Sequence, residues 1–148
     1  MKIVVGSDHA GFELKGPLIA AQRGDGHEVR DFGAYSAEPV DFPDVARLVC
    51  GAVLKGEVER GIMVCGTGVG ASIAANKIPG IRAAVCHDLY SAHQCVEHDD
   101  VNVMCIGAQI VGLWLAKDLI AAYLGAKFST AEEFRRRVAK LADMDAGR

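Results

Sequence analysis

The sequence predicts a doubly wound α/β domain, in which helices cover both faces of a five-stranded parallel sheet and so form three layers. Apolar strand-like runs alternate with helical patterns along the whole chain. Most of these runs are continuously apolar, which is typical of strands that are buried on both faces of a parallel sheet. With 148 residues the chain is long enough for one domain with a sizeable core, and we expect residues 1–148 to form that single domain.

The strands follow from the apolar runs taken in order. The first run ends in polar residues, and the second alternates between polar and apolar side chains, which indicates a less buried strand near an edge of the sheet. The other three runs are short and apolar, as expected for central strands. The strands are predicted over residues 3–7, 27–32, 61–64, 81–86 and 103–108.

Six helical patterns separate or follow these strands. Gly24 and Gly26 break the first, and Pro43 suits the first turn of the second because its missing N–H has no helical partner there. The last residues, 143–148, are expected to fray. The helices are predicted over residues 11–22, about 41–54, from about 70 onward, 90–97, 111–124 and 131–142.

Composition excludes several classes of function. The net charge of −3 gives no electrostatic reason to expect nucleic acid or a membrane surface as a partner. No apolar run approaches the roughly 20 residues that a membrane-spanning helix needs, and the first residues have no signal-peptide pattern. We therefore expect a cytoplasmic protein.

The five cysteines predict neither a disulfide framework nor a zinc site, because their number is odd and no pair has C-x-x-C spacing. A reducing cytoplasm is the simplest setting for them. Cys50, Cys86 and Cys105 lie in apolar patterns and are expected to be small core residues, whereas the pattern around Cys95 leaves its place open.

The most informative segment is residues 65–77, which follows the third predicted strand. Cys65 stands at the carboxyl end of that strand, a glycine-rich loop comes next, and a helix begins near Gly70. A helix N-terminus offers unpaired N–H groups and a partial positive charge, both of which stabilise anions. A base beside such an anion hole suits proton abstraction next to a carbonyl group, where an enediolate must be stabilised.

Polar residues collect where the predicted strands end. The carboxyl ends of parallel strands lie along one rim of a sheet, so we expect Asp8, His9, Cys65, Thr67 and His98 to converge there. Any one of these residues alone is more often a cap or a turn residue. Several together favour a site.

A nucleotide-binding module is the rival interpretation of the loop. Gly66, Gly68 and Gly70 form G-x-G-x-G, and Asp88 follows at about the distance at which the dinucleotide fingerprint has an acidic residue. Two points oppose this interpretation. The fingerprint has G-x-G-x-x-G spacing in a first βαβ unit, and a preceding cysteine is not part of it.

With these segments in view, the sequence resembles the ribose-5-phosphate isomerase B and galactose-6-phosphate isomerase family over nearly the whole chain. The resemblance implies a Rossmann-like fold and a metal-independent aldose–ketose isomerase without a cofactor. It also implies a homodimer, with a tetramer as the alternative, whose sites lie at the subunit interface. The predicted helix over residues 131–142 is then a candidate to pack on a partner subunit. The matching segments are residues 6–12, 41–44, 65–77, 80–83, 90–92, 97–103 and 107–112.

The resemblance also implies roles for individual residues. Cys65 would be the base that moves a proton between C1 and C2 of the sugar, because the loop glutamate used by some relatives is Ala71 here. Thr67 would assist, and His98 would open the sugar ring by proton transfer. The remaining implied substrate-binding residues are Asp8, His9, Gly66, Gly68, Gly70, Ser72, Asp99 and Arg137, the glycines and Ser72 acting through the backbone N–H groups of their loop.

Four positions depart from the usual family pattern. Gln109 and Glu133 stand where the family has arginines that bind the substrate phosphate, which leaves Arg137 as the direct match. Asp99 replaces an asparagine near the enediolate, and Phe42 replaces a tyrosine. Ribose 5-phosphate is therefore the default substrate, and a different or unphosphorylated sugar is the alternative. A nucleotide- or sugar-binding protein without catalysis is the rival outside the enzymes.

Overall fold

The computed structural model describes residues 1–147 and contains one five-stranded sheet. Every strand pair is parallel, and the spatial order is β2-β1-β3-β5-β4. The strands are β1 (Lys2–Ser7), β2 (Glu28–Asp31), β3 (Arg60–Cys65), β4 (Ala83–Val85) and β5 (Val103–Gly107). The helices are α1 (Phe12–Gly24), α2 (Phe42–Leu54), α3 (Val69–Asn76), α4 (Leu89–Asp99), α5 (Leu113–Gly125) and α6 (Glu132–Ala146).

Helices cover both faces of the sheet, so the predicted three-layer α/β fold is confirmed. One hydrophobic core lies between the sheet and helices α1, α4 and α5, and the other lies between the sheet and helices α2 and α3. Neighbouring strand residues alternate between the two cores: Val5 belongs to the first and Val4 to the second. Within residues 1–147, no helix has the length and apolar character that crossing a bilayer requires.

Several predicted bounds are corrected by the structure. β4 shrinks to three residues at the sheet edge, and β2 lies at the opposite edge, as its alternating pattern predicts. Helix α4 continues to Asp99 and ends where Asp100 adopts a left-handed conformation with φ of 49°. His98 and Asp99 therefore lie on the last helical turn, whereas the sequence predicted a loop.

The carboxyl-terminal helix is also longer than the sequence predicted. Residues 143–146 continue α6 and do not fray. The Gly80 backbone N–H donates to Asp145 Oδ2 at 2.9 Å and ties the end of the helix to its own chain. The predicted fraying of Arg148 concerns a residue outside the described ones.

A partly buried ion pair joins α1 to the end of β2. Lys15 is 2% exposed, and its Nζ lies 2.5 Å from Asp31 Oδ1 and 2.6 Å from the carbonyl oxygen of Ala34. Removing one partner of a buried pair leaves the other charge uncompensated. The pair therefore fastens the β2 edge of the sheet to the helix that follows β1.

We expect Lys15→Met to lower the free energy of unfolding by about 3 kcal/mol, because Asp31 loses its counter-charge while remaining two-thirds covered. Chemical denaturation followed by circular dichroism measures the change. Lys2→Met is the matched control, since its pair with Glu28 is exposed and its loss should cost well under about 1 kcal/mol. Equal effects of the two changes would contradict the prediction.

Candidate active site

Cys65 lies at the carboxyl end of β3 and faces the loop that leads into α3. Its Sγ atom accepts a hydrogen bond from the Gly68 backbone N–H at 2.9 Å, and the residue is 5% exposed. Gly68 caps α3 with a φ of 80°, a left-handed conformation that an L side chain rarely adopts. The glycine thus lets the chain turn tightly enough to point a backbone donor at the sulfur.

The neighbouring strand β5 holds the start of this loop from the other side. The backbone N–H of Ala108 donates to the carbonyl oxygen of Cys65 at 2.7 Å, and that of Gln109 donates to Gly66 at 3.0 Å. A Cβ on Gly66 would lie 3.1 Å from Gln109 Oε1, so the exposed Gln109 amide lies directly over the loop. Gln109 was predicted as a departure from the family, and the structure places it at the Cys65 rim.

The rest of the loop packs against the beginning of α2. A Cβ on Gly70 would lie 2.9 Å from the ring of Phe42, so the ring covers the loop where a larger residue would not fit. Thr67 is exposed, and its Oγ1 accepts from the Val69 N–H at 3.3 Å. Ser72 lies on the first turn of α3 and is half-buried. Its backbone N–H donates to the Gly68 carbonyl oxygen at 3.0 Å, so of the predicted loop donors the structure shows only the Gly68 N–H facing Cys65.

Asp8 and His9 follow β1, whose end pairs with β3 through Ser7 and Val64. Asp8 is 8% exposed, and its Oδ1 accepts from the Gly11 N–H at 3.0 Å. His9 is exposed, and its Nδ1 accepts from the Val40 N–H at 3.2 Å. Both residues reach the same rim as Cys65, as the strand order predicts.

His87 also contacts the backbone at this rim, although the sequence did not single it out as a site residue. His87 Nε2 accepts from the backbone N–H of Gly107 at 2.9 Å, and Gly107 is the register partner of Cys65. The signal in the sequence was only its place after the fourth predicted strand. We assign His87 a positioning role, because its bond is to the backbone beside the loop.

His98 lies elsewhere, on the last turn of α4. Its ring stacks on Phe134 of α6 with centroids 3.9 Å apart, and the Gln94 side-chain amide lies 2.7 Å from its Nδ1. Both contacts hold the ring in a fixed orientation on the helix. The contact with Phe134 joins two helices and has no counterpart in any short sequence pattern.

The expectation that His98 converges with Cys65 in one chain is wrong. Helix α4 runs back from the end of β4, so its last turn reaches the amino edge of the sheet, where Asp100 accepts from the Arg82 side chain at 2.7 Å. Cys65 lies at the carboxyl edge, paired with Gly107. The strand from Val103 to Gly107 alone separates the two edges by about 13 Å.

Asp99 and Arg137 lie near His98, at the edge of the sheet away from Cys65. Asp99 is exposed on the same helical turn, and the Arg137 guanidinium lies 5.6 Å above the Phe134 ring that stacks on His98. Arg135 instead covers Phe128 at 4.9 Å. Of the consecutive arginines of α6, Arg137 is thus the one associated with the His98 stack.

The acidic residue that the nucleotide-binding interpretation requires, Asp88, is engaged as a helix cap. Asp88 caps α4: its Oδ1 accepts from the Ser91 N–H at 2.8 Å and its Oδ2 from the Ser91 hydroxyl at 2.7 Å. The bond from the Ser91 N–H, and then that from its hydroxyl, lower the pKa of this carboxyl. Among residues 1–147, no group of three or more His, Cys, Asp or Glu side chains is arranged to hold a metal ion.

Comparisons with known proteins place this geometry in a family. The family described as Ribose/Galactose Isomerase matches residues 3–141. The chain is 48% identical over 135 residues to ribose-5-phosphate isomerase B of Escherichia coli K12, covering 91% of each chain. It is 36% identical over 149 residues to the 4-deoxy-4-sulfo-D-erythrose isomerase of Clostridium sp. MSTE9, covering 99% of this chain and 94% of that one.

A solved structure agrees with both comparisons. Ribose-5-phosphate isomerase B of Clostridium thermocellum superposes with a TM-score of 0.96 at 46% identity and covers 99% of both chains. Sequence and structure thus match along the same full length, including the Cys65 loop and the His98 helix. The chain belongs to the ribose/galactose isomerase family.

Proposed function

We propose that this protein is an aldose–ketose isomerase in which Cys65 is the catalytic base. One observation carries the proposal: the Cys65 sulfur lies 2.9 Å from a loop N–H at the amino end of α3. The Gly68 N–H that faces the sulfur can also face an oxyanion, together with other N–H groups of the helix N-terminus that have no helical partner. A base and an anion hole at one place are what an enediolate intermediate requires.

In the proposed reaction, Asp8 and His9 bind the open-chain sugar at the rim. Cys65 takes the proton from C2 of the aldose, and the electron pair moves to the carbonyl oxygen to form an enediolate. The N–H groups of Gly66, Gly68 and Gly70 stabilise the new negative charge, and the Thr67 hydroxyl assists. The Ser72 N–H is not among them, since it donates to the Gly68 carbonyl oxygen at 3.0 Å. Cys65 then returns the proton to C1 while the proton of the C2 hydroxyl passes to the oxygen on C1, which gives the ketose.

The ring-opening step needs His98, which lies at the far edge of the same chain. We propose that the protein is a homodimer in which His98 of the partner subunit completes the site around Cys65. A two-fold axis would bring the carboxyl edge of one sheet to the α4–α6 end of the other, twice. Arg137 and Asp99 would enter the site with the same helices, because both lie beside His98.

Ribose 5-phosphate is the substrate we propose first, because ribose-5-phosphate isomerase B of E. coli is 48% identical. A second candidate is a shorter sugar with a different anionic group. It is favoured by the 36% identity to an isomerase of a sulfonated erythrose and by the neutral Gln109 amide over the loop. An amide cannot supply the charge-assisted, bidentate contact that an arginine gives a phosphate.

Proton NMR in heavy water tests the function and separates the two candidates. Ribose 5-phosphate, erythrose 4-phosphate, 4-deoxy-4-sulfo-D-erythrose and free ribose are each incubated with the protein, and deuterium exchange at C2 and ketose formation are followed. Turnover of ribose 5-phosphate supports the first candidate, and turnover confined to 4-deoxy-4-sulfo-D-erythrose supports the second. Turnover confined to erythrose 4-phosphate would mean a shorter sugar that keeps the phosphate. Binding of all four without exchange would favour a non-catalytic sugar-binding protein.

We expect Gly107→Ala to lower turnover without removing any predicted catalytic group. A Cβ at Gly107 would lie 2.7 Å from the Cα of Thr67, so the loop must move away from Cys65. Overpacking of this kind costs about 1–3 kcal/mol of stability, and a displaced loop also loses its alignment with the sulfur. Gly125→Ala is the control, since nothing lies within 4 Å of its added Cβ. Full activity of Gly107→Ala would contradict the loop's role.

A further inference from the structure

Two buried thiols lie side by side outside the candidate site. The Sγ atoms of Cys86 and Cys95 are 3.8 Å apart, and the residues are 1% and 6% exposed. Cys86 directly follows β4, and Cys95 lies on the second turn of α4, packed over it. Two cysteines nine residues apart carry no sequence signal for a pair, and the fold alone brings them together.

One of the two cysteines borders a cavity. Cys95 lines a cavity of about 380 Å³ that opens along the β4 edge beneath α6, with Arg82, Leu141 and Met144 among its other walls. A small oxidant fits this space easily, since one water needs about 30 Å³. Cys86 is not part of the lining, so an oxidant meets Cys95 first.

The surroundings also make Cys95 the better nucleophile. The hydrogen bond from the Cys86 thiol, followed by the charge of Arg60, lowers the pKa of Cys95, although burial opposes them. The same hydrogen bond, together with burial, raises the pKa of Cys86. The thiolate is the form that reacts with peroxides. The cavity and the lowered pKa therefore both favour the Cys95 sulfur as the atom that reacts first.

We propose that Cys86 and Cys95 form a peroxide-sensitive thiol pair that closes to a disulfide. The Cys95 thiolate attacks hydrogen peroxide, the O–O bond breaks, and Cys95 becomes a sulfenic acid as hydroxide leaves. The Cys86 thiol then attacks the sulfenic sulfur, the S–O bond breaks, and water leaves with the proton from Cys86. The net change is two thiols and one peroxide to one disulfide and two waters.

The geometry allows closure with small movements. The two sulfurs must approach from 3.8 Å to about 2 Å, which rotation of the side chains and a slight shift of α4 can supply. The pair is consistent with a reducing cytoplasm, where disulfides are usually transient and redox-sensing. Reduction by a cellular dithiol would restore the thiols.

The disulfide would act on both ends of α4. Cys86 precedes His87, which accepts from the Gly107 N–H beside Cys65. Cys95 lies one turn before His98 on the same helix. A shift of α4 toward β4 would therefore move both histidines. This movement is a structural change, and it is independent of the proposed isomerase activity.

Peptide mapping of the intact protein tests the pair. The protein is treated with one equivalent of hydrogen peroxide, its remaining thiols are alkylated, and it is cleaved after arginine and before aspartate. Because these cuts fall after Arg82 and before Asp88 and Asp99, we expect residues 83–87 linked to residues 88–98. The link should disappear after reduction. Peroxide treatment that leaves both fragments unlinked would overturn the proposal.

Variants test the order of attack. In Cys86→Ser, Cys95 should persist as a sulfenic acid that dimedone traps, whereas in Cys95→Ser, Cys86 should stay unmodified. Trapping at Cys86 instead of Cys95 would overturn the order. Cys50→Ser is the matched control, since Cys50 is a buried thiol in the other core and its loss should leave the link intact.

Histidine ring resonances test the coupling in the wild-type protein. We expect the signals of His87 and His98 to move on oxidation and to return on reduction. The signal of His27 should stay in place, because its Nδ1 lies 3.2 Å from the Met1 amino group at the far side of the sheet. Fixed His87 and His98 signals in a fully linked sample would overturn the coupling.

Discussion

Replacing Cys65 by serine is expected to lower isomerisation by about 10²–10⁴-fold, the range over which general acid–base groups contribute. The hydroxyl keeps an acceptor for the Gly68 N–H, which lies 2.9 Å from the sulfur in the unchanged protein. It gives up its proton far less readily than a thiol and is a poor base toward a carbon acid. Deuterium exchange at C2 of the substrate, followed by NMR, measures the loss.

Two comparisons make the result specific to Cys65. Substrate binding, measured by calorimetry, should change little in Cys65→Ser, since the backbone donors of the loop remain. Cys50→Ser should keep full exchange, because Cys50 is buried in α2 and lies away from the loop. Exchange at the wild-type rate in Cys65→Ser would remove this residue from the mechanism and leave the base unidentified.

Two inactive chains are expected to make one active dimer. Cys65→Ala lacks the base, and His98→Asn lacks the ring-opening group, so each variant alone should be nearly inactive on a closed-ring sugar. A heterodimer of the two has one intact site and one site with both defects. Two-fold symmetry therefore predicts about half of the wild-type turnover per dimer.

The heterodimer is obtained by coexpressing the two variants with different affinity tags and purifying through both. Two differently tagged Cys65→Ala chains are the negative control, and two tagged wild-type chains set the full rate. Rescue would mean that Cys65 and His98 act from different subunits. A heterodimer as inactive as its parents would overturn the shared site and require a route from His98 to Cys65 within one chain.

Local sequence patterns were sufficient to predict which residues form the half of the candidate site that is built from one strand and its loop. Cys65, the glycines and Ser72 are close along the chain, so a strand end followed by a helix start places them together without further information. Asp8 and His9 reach the same rim by the general rule for parallel sheets. The helix ends were predicted less well, because α4 continues through Asp99 and α6 through Asp145, beyond the predicted bounds.

The contacts that the sequence could not predict join residues that are distant along the chain or on different elements. Phe134 stacks on His98 across 36 positions of sequence, and Cys95 meets Cys86 because one turn of α4 packs on the end of β4. His98 was expected at the wrong edge because it was grouped with the carboxyl ends of the strands, whereas a residue just before β5 lies at the amino edge of a parallel sheet.

The sequence by itself therefore determined the α/β class, the family and the Cys65 loop, because each depends on residues that are neighbours in the chain. The tertiary structure alone decided that His98 stacks on Phe134 and that two thiols meet between the end of β4 and α4. Side-chain packing between elements selects such contacts, and the free energy of that packing depends on the whole fold rather than on any one segment.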